Sequence, residues 1–586
     1  MRILAQAQGR AALCAALLMA TCCARLASQP SQSSKADLVL IHGHILTEDA
    51  SDSAAQALAI VGGRILAVGS NEQILALAGP STRTIDLAGR TATPGLIDSH
   101  AHIAEGGVDE IFHIPLTDAK SIAEIAQRVA AKAATLKPGE WIQGAGWDEG
   151  KLSEKRLPTA ADLDAVAPNN PVWLTHTTGH YGVANSAALK IAGITAATHD
   201  PPAGTIDRDA QGNPTGVLKE EAAMNLVLAH IPPVTQEQIE TGILHSVETL
   251  HREGMTAVKD PLIHMEEWRA YKHLADQGKL NEHVCVLWYA GATLDSAREA
   301  LAHIQADAPA RSWIDNDQLG SCGAKIFMDG SGGARTAWSY AEWHKHSTEP
   351  DSGNHGYPLV EPAIYRQMVR LFHDNGVPVG THAVGDRAID MVVDTYAEAE
   401  AAHSAIGLRH SIIHANQPSQ HALDVMVDLQ KNYDAGYPES QPEFLWWIGD
   451  IYAASYGVNG ANLIPLKTFE ERGIVWGGGS DYPVTPLAAR DGIWAAAARE
   501  TAMGTYGRHP FGRSESIDAH TALKAYTLWN ARQLFLEKEI GSLEPGKRAD
   551  IAVWDRDPTA VPSAKLKDMK CLMTLIDGKV VWKMEK

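Results

Sequence analysis

The sequence predicts an α/β protein: a (β/α)8 TIM barrel with an insertion after its first strand, plus a small β-sandwich formed by both chain ends. Three observations lead there. The middle of the 586-residue chain alternates apolar strand-like runs with helical stretches, and eight of those runs are strand candidates. Both ends share a texture of short apolar runs separated by Gly-rich turns. About 150 residues separate the first two candidate barrel strands, whereas a βα unit needs only a few tens of residues.

Composition sets the outer bounds. Hydrophobic residues make up 45% and charged residues 20%, as in a soluble globular protein. Acidic residues outnumber basic ones by 70 to 50, and the net charge of -20 argues against a nucleic-acid partner, which needs a basic face. The chain opens with Arg2 and Arg10 and an apolar stretch from Ala11 to Cys23, too short to span a membrane and suited to a signal. Residues 1–27 are therefore expected to be a signal peptide, and the protein to be exported, either periplasmic or lipid-anchored in a bacterial envelope. Cys22 and Cys23 are the candidates for a lipid anchor, although Thr21 is not the small residue usual before such a cysteine. Membrane contact is expected only through that anchor. The remaining cysteines, Cys285, Cys322 and Cys571, are far apart and form no C-x-x-C pair, so neither a thiolate zinc site nor a disulfide framework is indicated. Cys285, inside the run Val284-Cys285-Val286-Leu287, reads as a buried thiol.

In chain order, residues 36–92 read as the first part of the sandwich, with Leu38–Ile41, Ala57–Ile60 and Ile65–Val68 separated by His42-Gly43 and Gly62-Gly63. Residues 93–535 read as the barrel. Its candidate strands are Thr93–His102, Met255–Asp260, His283–Tyr289, Ala324–Asp329, Val377–His382, Ser411–His414, Val425–Tyr433 and Ile474–Asp481. The insertion covers about residues 105–250 and includes the helix-like Ser121–Leu136 and the Gly/Trp-rich Trp141–Trp147. Residues 536–586 complete the sandwich with Ile551–Trp554, Leu572–Ile576 and Val580–Trp582.

The chemistry begins at Asp98-Ser99-His100-Ala101-His102. In a strand, residues i and i+2 face the same way, so His100 and His102 would project together toward a metal that prefers nitrogen ligands. Lys325, His382, His414 and Asp481 stand at or near the C-terminal ends of later candidate strands, where barrel active sites lie. The run Gly477-Gly478-Gly479 before Asp481 lets backbone approach a ligand closely. Two positions stay open. Lys259 rivals Lys325, and His410 shares a strand face with His414; His414 is preferred because it ends its strand.

With these pieces assembled, the chain resembles the amidohydrolase superfamily, in the subgroup of amidohydrolase family 3 that contains N-substituted formamide deformylases. The resemblance rests on Pro94–His102, Lys325–Ser331, His382–Ala388, Gly479–Val484 and the tail Gly541–Asp550, and it spans nearly everything after residue 36. It implies two divalent metal ions, with zinc expected. His100, His102 and Asp481 would hold the more buried one, His382 and His414 the second, and Lys325 would bridge them as a CO2-derived carbamate. It further implies cleavage of a C–N bond in a small amide, cyclic amide or N-formyl compound through a metal-activated hydroxide, with Asp481 as general base and then acid. One departure stands out: Ile413, rather than the Glu frequent in relatives, precedes His414.

His180, Trp147 and Asp329 are the candidate substrate-binding residues. His180 lies in Thr177–Leu189, a stretch similar to a recurring subgroup motif, and Asn185-Ser186 behind it is also a helix N-cap signal. Trp446 and Trp447 are further candidates for an apolar wall, and Asp386 with Arg387 reads as a pair. Two other functions remain open: hydrolytic deamination at a mononuclear site, and a non-catalytic exported binding or regulatory protein that keeps the fold.

Overall fold

The computed structural model describes residues 35–314, 317–346, 349–503 and 512–585. The leader expected at 1–27, with Cys22 and Cys23, lies outside the described residues. Among those described, no helix is long and apolar enough to cross a membrane.

Eight parallel strands form a nearly closed barrel. In chain order they are Leu96–Asp98, Met255–Ile263, His283–Tyr289, Leu319–Phe327, Val379–Ala383, Ser411–His414, Tyr437–Ser440 and Gly477–Gly478, each hydrogen-bonded to its predecessor. The strands are buried on both faces, and they read as continuous apolar runs rather than alternating ones. Single hydrogen bonds close the seam between first and last strands. Ser99 N–H donates to Gly478 O at 3.0 Å, and the Asn530 amide donates to Ile97 O (2.6 Å) and Gly478 O (2.7 Å).

Three expected strands change, of which Ile474–Asp481 only shortens to Gly477–Gly478. Thr93–His102 is divided: Thr91–Pro94 pairs antiparallel with Ile551–Trp554, and only Leu96–Asp98 enters the barrel. Gly95 makes the crossing, because a Cβ there would lie 2.2 Å from Thr256 Oγ1. The expected seventh strand, Val425–Tyr433, is the second half of a helix, Gln420–Tyr433, capped by the Ser419 side chain. Its buried residues Ala422, Leu423, Met426 and Leu429 recur at helical spacing. Asp434 ends the helix in the left-handed conformation, and the true seventh strand follows at Tyr437.

The insertion is smaller than residues 105–250. Helix Gln236–Arg252 buries Ile239, Ile243, Val247 and Leu250 in the barrel core and packs against helix Ile103–Phe112. The contact is backbone-close, since a Cβ on Gly107 would lie 2.0 Å from Gly242 O. Between these helices a six-stranded sheet spans Ile114–Lys219 and encloses its own apolar core. The two chain ends meet in a second pair of sheets. Leu38–Ile41, Ala57–Val61, Arg64–Gly69 and Arg83–Asp86 form one, while the other interleaves His44–Leu46 and Thr91–Pro94 with Ile551–Trp554, Cys571–Ile576 and Lys579–Lys583.

The cysteines also depart from expectation. Cys285 and Cys322, on the neighbouring third and fourth barrel strands, form a disulfide, while Cys571 is a buried free thiol. Linear spacing hid the pair, because adjacent parallel strands bring residues 37 positions apart within 5.6 Å at Cα. Closing a loop of that length restricts the unfolded chain, so the Cys285→Ala/Cys322→Ala variant is expected to be about 3 kcal/mol less stable. A denaturant titration checks this.

Candidate metal centre and active site

The site is built at the C-terminal end of the barrel: Lys325, His382 and His414 lie in the last residues of their strands, and His100, His102 and Asp481 just past theirs. His100 and His102 follow Leu96–Asp98 rather than extend it, so a strand face is not what aligns them. Their backbone is held from three sides instead. Asp481 N–H donates to His100 O (2.7 Å), Ala101 N–H to Lys259 O (3.0 Å) and His102 N–H to Tyr482 O (2.7 Å). Asp98 pins the same corner by accepting from His100 N–H at 2.8 Å and Ser480 N–H at 3.1 Å. Burial pushes its carboxyl up to about 7, against these hydrogen bonds. Gly479 allows the crossing, since a Cβ there would lie 2.9 Å from both Asp98 Oδ1 and His100 N. Asp481 and His414 both adopt left-handed backbone, with φ of 58° and 74°, a conformation that persists in such residues only where surrounding structure enforces it.

Two donor groups result. In the first, His100 Nε2 and His102 Nε2 each lie 3.3 Å from Asp481 Oδ1. Burial would raise the Asp481 carboxyl, but hydrogen bonds from the two histidines hold it well below the usual carboxylate range. In the second, His382 Nδ1 faces His414 Nε2 at 3.0 Å. The other nitrogen of each ring is already engaged: His382 Nε2 donates to Gly330 O (3.1 Å) and His414 Nδ1 to Gln441 Oε1 (2.7 Å). A neutral imidazole carries one N–H, so with the Gln441 amide turned to accept, as it stands here, both facing nitrogens present lone pairs. Burial keeps both rings neutral, with His414 pushed down to about 3 and His382 well below its ordinary value. A cation between them removes the repulsion, and neutral imidazoles beside an ionised carboxylate are the protonation states that metal ligation requires.

Lys325, on the fourth strand, reaches between the groups. It is fully buried, its Nζ lies 3.3 Å from His100 Nε2, and burial lowers its amine to about 7. Its rival Lys259 is committed elsewhere, in a buried ion pair with Glu439. Glu439 also stands 3.7 Å from His100 Nδ1, while the Nε2 of that ring faces Asp481. Burial raises the Glu439 carboxyl, yet Lys259 and His100 together bring it down to about 2. Glu439→Gln is expected to weaken metal binding by about 10- to 100-fold, as loss of a ligand-orienting carboxylate does; metal titration of the stripped protein checks this.

His410 is excluded by its bonding. Its Nδ1 accepts from Val379 N–H (2.9 Å), so its Nε2–H donates to His373 Nδ1 (2.9 Å), whose Nε2–H donates to His403 O (2.6 Å). That run of bonds is complete, and both ligand-type nitrogens of His410 are occupied.

The substrate-binding candidates separate. His180 lines a cavity of about 1220 Å³ that opens over both donor groups. Its ring centroid lies 5.0 Å from that of His382, and its Nδ1 is held by Glu220 Oε2 at 2.8 Å. Glu220 in turn accepts from Thr336 Oγ1. Trp147 does not reach the cavity. It is fully buried in the insertion core with its indole N–H on Leu174 O (3.0 Å), the fate of a large aromatic on an apolar sheet. Trp447 lines the cavity; Trp446 packs on Trp494. Asp329 does not bind at the cavity either. Its carboxylate accepts backbone N–H groups from Trp338, Val384 and Gly385 at 2.8–3.0 Å and so fastens the loop after His382. Asp386 and Arg387 do not pair through their side chains: Asp386 holds Ser339 and Tyr340 N–H, and Arg387 stacks on Trp338. Glu439, Gln441 and Glu220 were not singled out from sequence. The first two follow the misassigned seventh strand, and Glu220 is 40 residues from the histidine it holds.

Comparison with known proteins identifies the family and the fold. The amidohydrolase family model matches residues 83–582. An N-substituted formamide deformylase of Arthrobacter pascens is 30% identical over 561 residues, covering 92% of this chain and 97% of the relative. The putative amidohydrolase YtcJ of Bacillus subtilis (strain 168) is 29% identical over 553 residues, covering 92% and 98%. Among solved structures, an uncharacterized metal-dependent hydrolase from Pyrococcus horikoshii OT3 is similar with a TM-score of 0.68 and 26% identity, covering 90% of this chain and 99% of that one. The zinc complex of atrazine chlorohydrolase TrzN from Arthrobacter aurescens TC1, at 15% identity and a TM-score of 0.51 over 93% and 95%, shares the fold. The chain belongs to the amidohydrolase family and is a metal-dependent hydrolase of that superfamily.

Proposed function

We propose that the protein is a binuclear amidohydrolase that cleaves the C–N bond of an amide, cyclic amide or N-formyl compound. The observation that carries the reading is the second donor group, where His382 Nδ1 and His414 Nε2 present lone pairs to one another at 3.0 Å. One metal at His100, His102 and Asp481 would leave that pair opposed. The similarity to the N-substituted formamide deformylase of Arthrobacter pascens supports the choice of bond.

Bound divalent metal supplies a water that ionises near neutral pH and a Lewis acid that polarises a carbonyl. Zinc suits the His and carboxylate donors. The chain's own residues do the rest. Lys325 Nζ, adding to CO2 with loss of one proton, becomes an anionic oxygen donor within reach of both groups. Asp481, kept ionised, takes the proton of the attacking water at its carboxylate and delivers it to the leaving nitrogen. His180, fixed by Glu220, presents its ring to the substrate from the cavity wall. Mononuclear deamination leaves Lys325 and the His382–His414 pair unused. Export is part of the reading, supported by the leader and by the Cys285–Cys322 pairing, which suits an oxidising compartment.

The test is amine release from a panel of N-substituted formamides, simple amides and cyclic amides, before and after chelation. Activity that chelation abolishes and zinc restores is the expected result. Fully metal-loaded protein that cleaves nothing in the panel contradicts it.

A further inference from the structure

The cavity above the metal centre has an unusual balance of charge. Besides the ligand Asp481, five carboxylates line it: Glu105, Asp109, Glu110, Glu220 and Glu221. Among the described residues, Lys325 is the one lysine in its wall, and no arginine lines it. The carboxylates have partners that are not fixed cations. Asp109 meets His113 Nδ1 at 2.8 Å, Glu110 meets His245 Nε2 at 2.8 Å, Glu220 meets His180, and Glu221 accepts from the Tyr289 hydroxyl. Glu105 stands 3.9 Å from His102 Nδ1.

Three of the five belong to helix Ile103–Phe112, which follows directly from the metal-binding histidines. The rest of the wall mixes uncharged polar side chains, such as Gln143, Thr175 and Asn225, with apolar ones: Trp173, Met224, Leu228, Leu262 and Phe327 contribute from the insertion and from the second and fourth barrel strands. At about 1220 Å³ the cavity holds far more than a formyl or simple amide group.

From this lining we infer that the site selects large, partly apolar amides that are neutral or carry a basic nitrogen, and excludes those bearing a carboxylate. The inference rests on the amidohydrolase reading and narrows its substrate class. The physical reason is desolvation. A substrate carboxylate would lose water without gaining a cationic partner, because Lys325 belongs to the metal centre, and it would face like charges at close range. An ammonium group would lose water but gain carboxylates. An N-acyl amino acid would bring a carboxylate that calls for a fixed cation, and among the described residues this wall offers no lysine or arginine beyond Lys325.

The experiment uses the full-length metal-loaded protein and three N-formyl amines on one arylalkyl scaffold, with trimethylammonium, methyl or carboxylate at the far para position. The expected kcat/KM order is cation at or above neutral, and anion at least about tenfold below neutral, with the gap between cation and anion narrowing at high salt. In Asp109→Asn/Glu110→Gln, the cation-to-anion ratio is expected to fall several-fold. An anion cleaved as well as the neutral compound overturns the inference while leaving the hydrolase reading intact. If none of the three is cleaved, the C–N reading fails for this scaffold, and the charge order is read from calorimetric binding of the same compounds. There, weaker binding of the anion supports the inference and equal or tighter binding overturns it.

Discussion

Lys325→Ala is expected to lower kcat/KM by about 10³-fold or more and to reduce bound metal from two ions per chain to at most one. The magnitude follows from removing a group that stabilises charge developing in a closed site, for which single losses are about 10²- to 10³-fold, compounded here by loss of a metal. The position supports this. Lys325 is fully buried, 3.3 Å from His100 Nε2, with its amine over the Phe327 ring at 4.6 Å, and the nearby Glu439 is already paired with Lys259. A cationic lysine there would repel the metals that the neighbouring donors are arranged to bind, whereas a carbamate would complete both groups. The alanine variant also leaves space where a small carboxylic acid can enter. Partial rescue by acetate or propionate is the expected signature of a lost oxygen donor. An alanine variant with full metal content and near-normal turnover would contradict the bridging role, and elemental analysis alongside steady-state kinetics reads both.

Asp481→Asn is expected to cost about 10³- to 10⁴-fold in kcat, since general acid–base groups contribute about 10²- to 10⁴-fold and this one is also a proposed metal ligand. The amide is nearly isosteric but cannot accept the proton. It also places an N–H₂ or a neutral oxygen 3.3 Å from His100 Nε2 and His102 Nε2. A metal held by His382 and His414, as proposed, would not use Asp481, so the variant is expected to retain metal there. Comparable loss of kcat in the asparagine and alanine variants at position 481, with KM little changed, is the expected pattern. Turnover within about tenfold of the parent would remove Asp481 from the proton path.

Much of the barrel was legible because its strands are continuous apolar runs ending in residues with metal chemistry, as at His382 and His414. Five of the eight candidate strands overlap the observed ones closely; the exceptions have physical causes. Thr93 and Pro94 looked like barrel because apolar patterning does not say which of two sheets a strand joins. Val425–Tyr433 looked like strand because a short apolar run fits either period, and its Ala422 to Leu429 face becomes clear only with the Ser419 cap included. His100 and His102 converge, but through backbone bonds to Lys259, Asp481 and Tyr482 rather than by strand alternation. What sequence did not offer is the support around the ligands. Glu439, Gln441 and Glu220 meet His100, His414 and His180, respectively, across 27 to 339 positions of chain, and such pairings have no linear spacing to reveal them. The Cys285–Cys322 bond was missed for the same reason.

The most direct measurement is anomalous diffraction at the zinc edge from crystals of the zinc-loaded full-length protein. Two peaks at the C-terminal end of the barrel are expected, one among His100, His102 and Asp481 and one between His382 and His414, with density for a carboxylated Lys325 joining them. A single peak at the first group, with His382 and His414 free of metal, would contradict the binuclear centre.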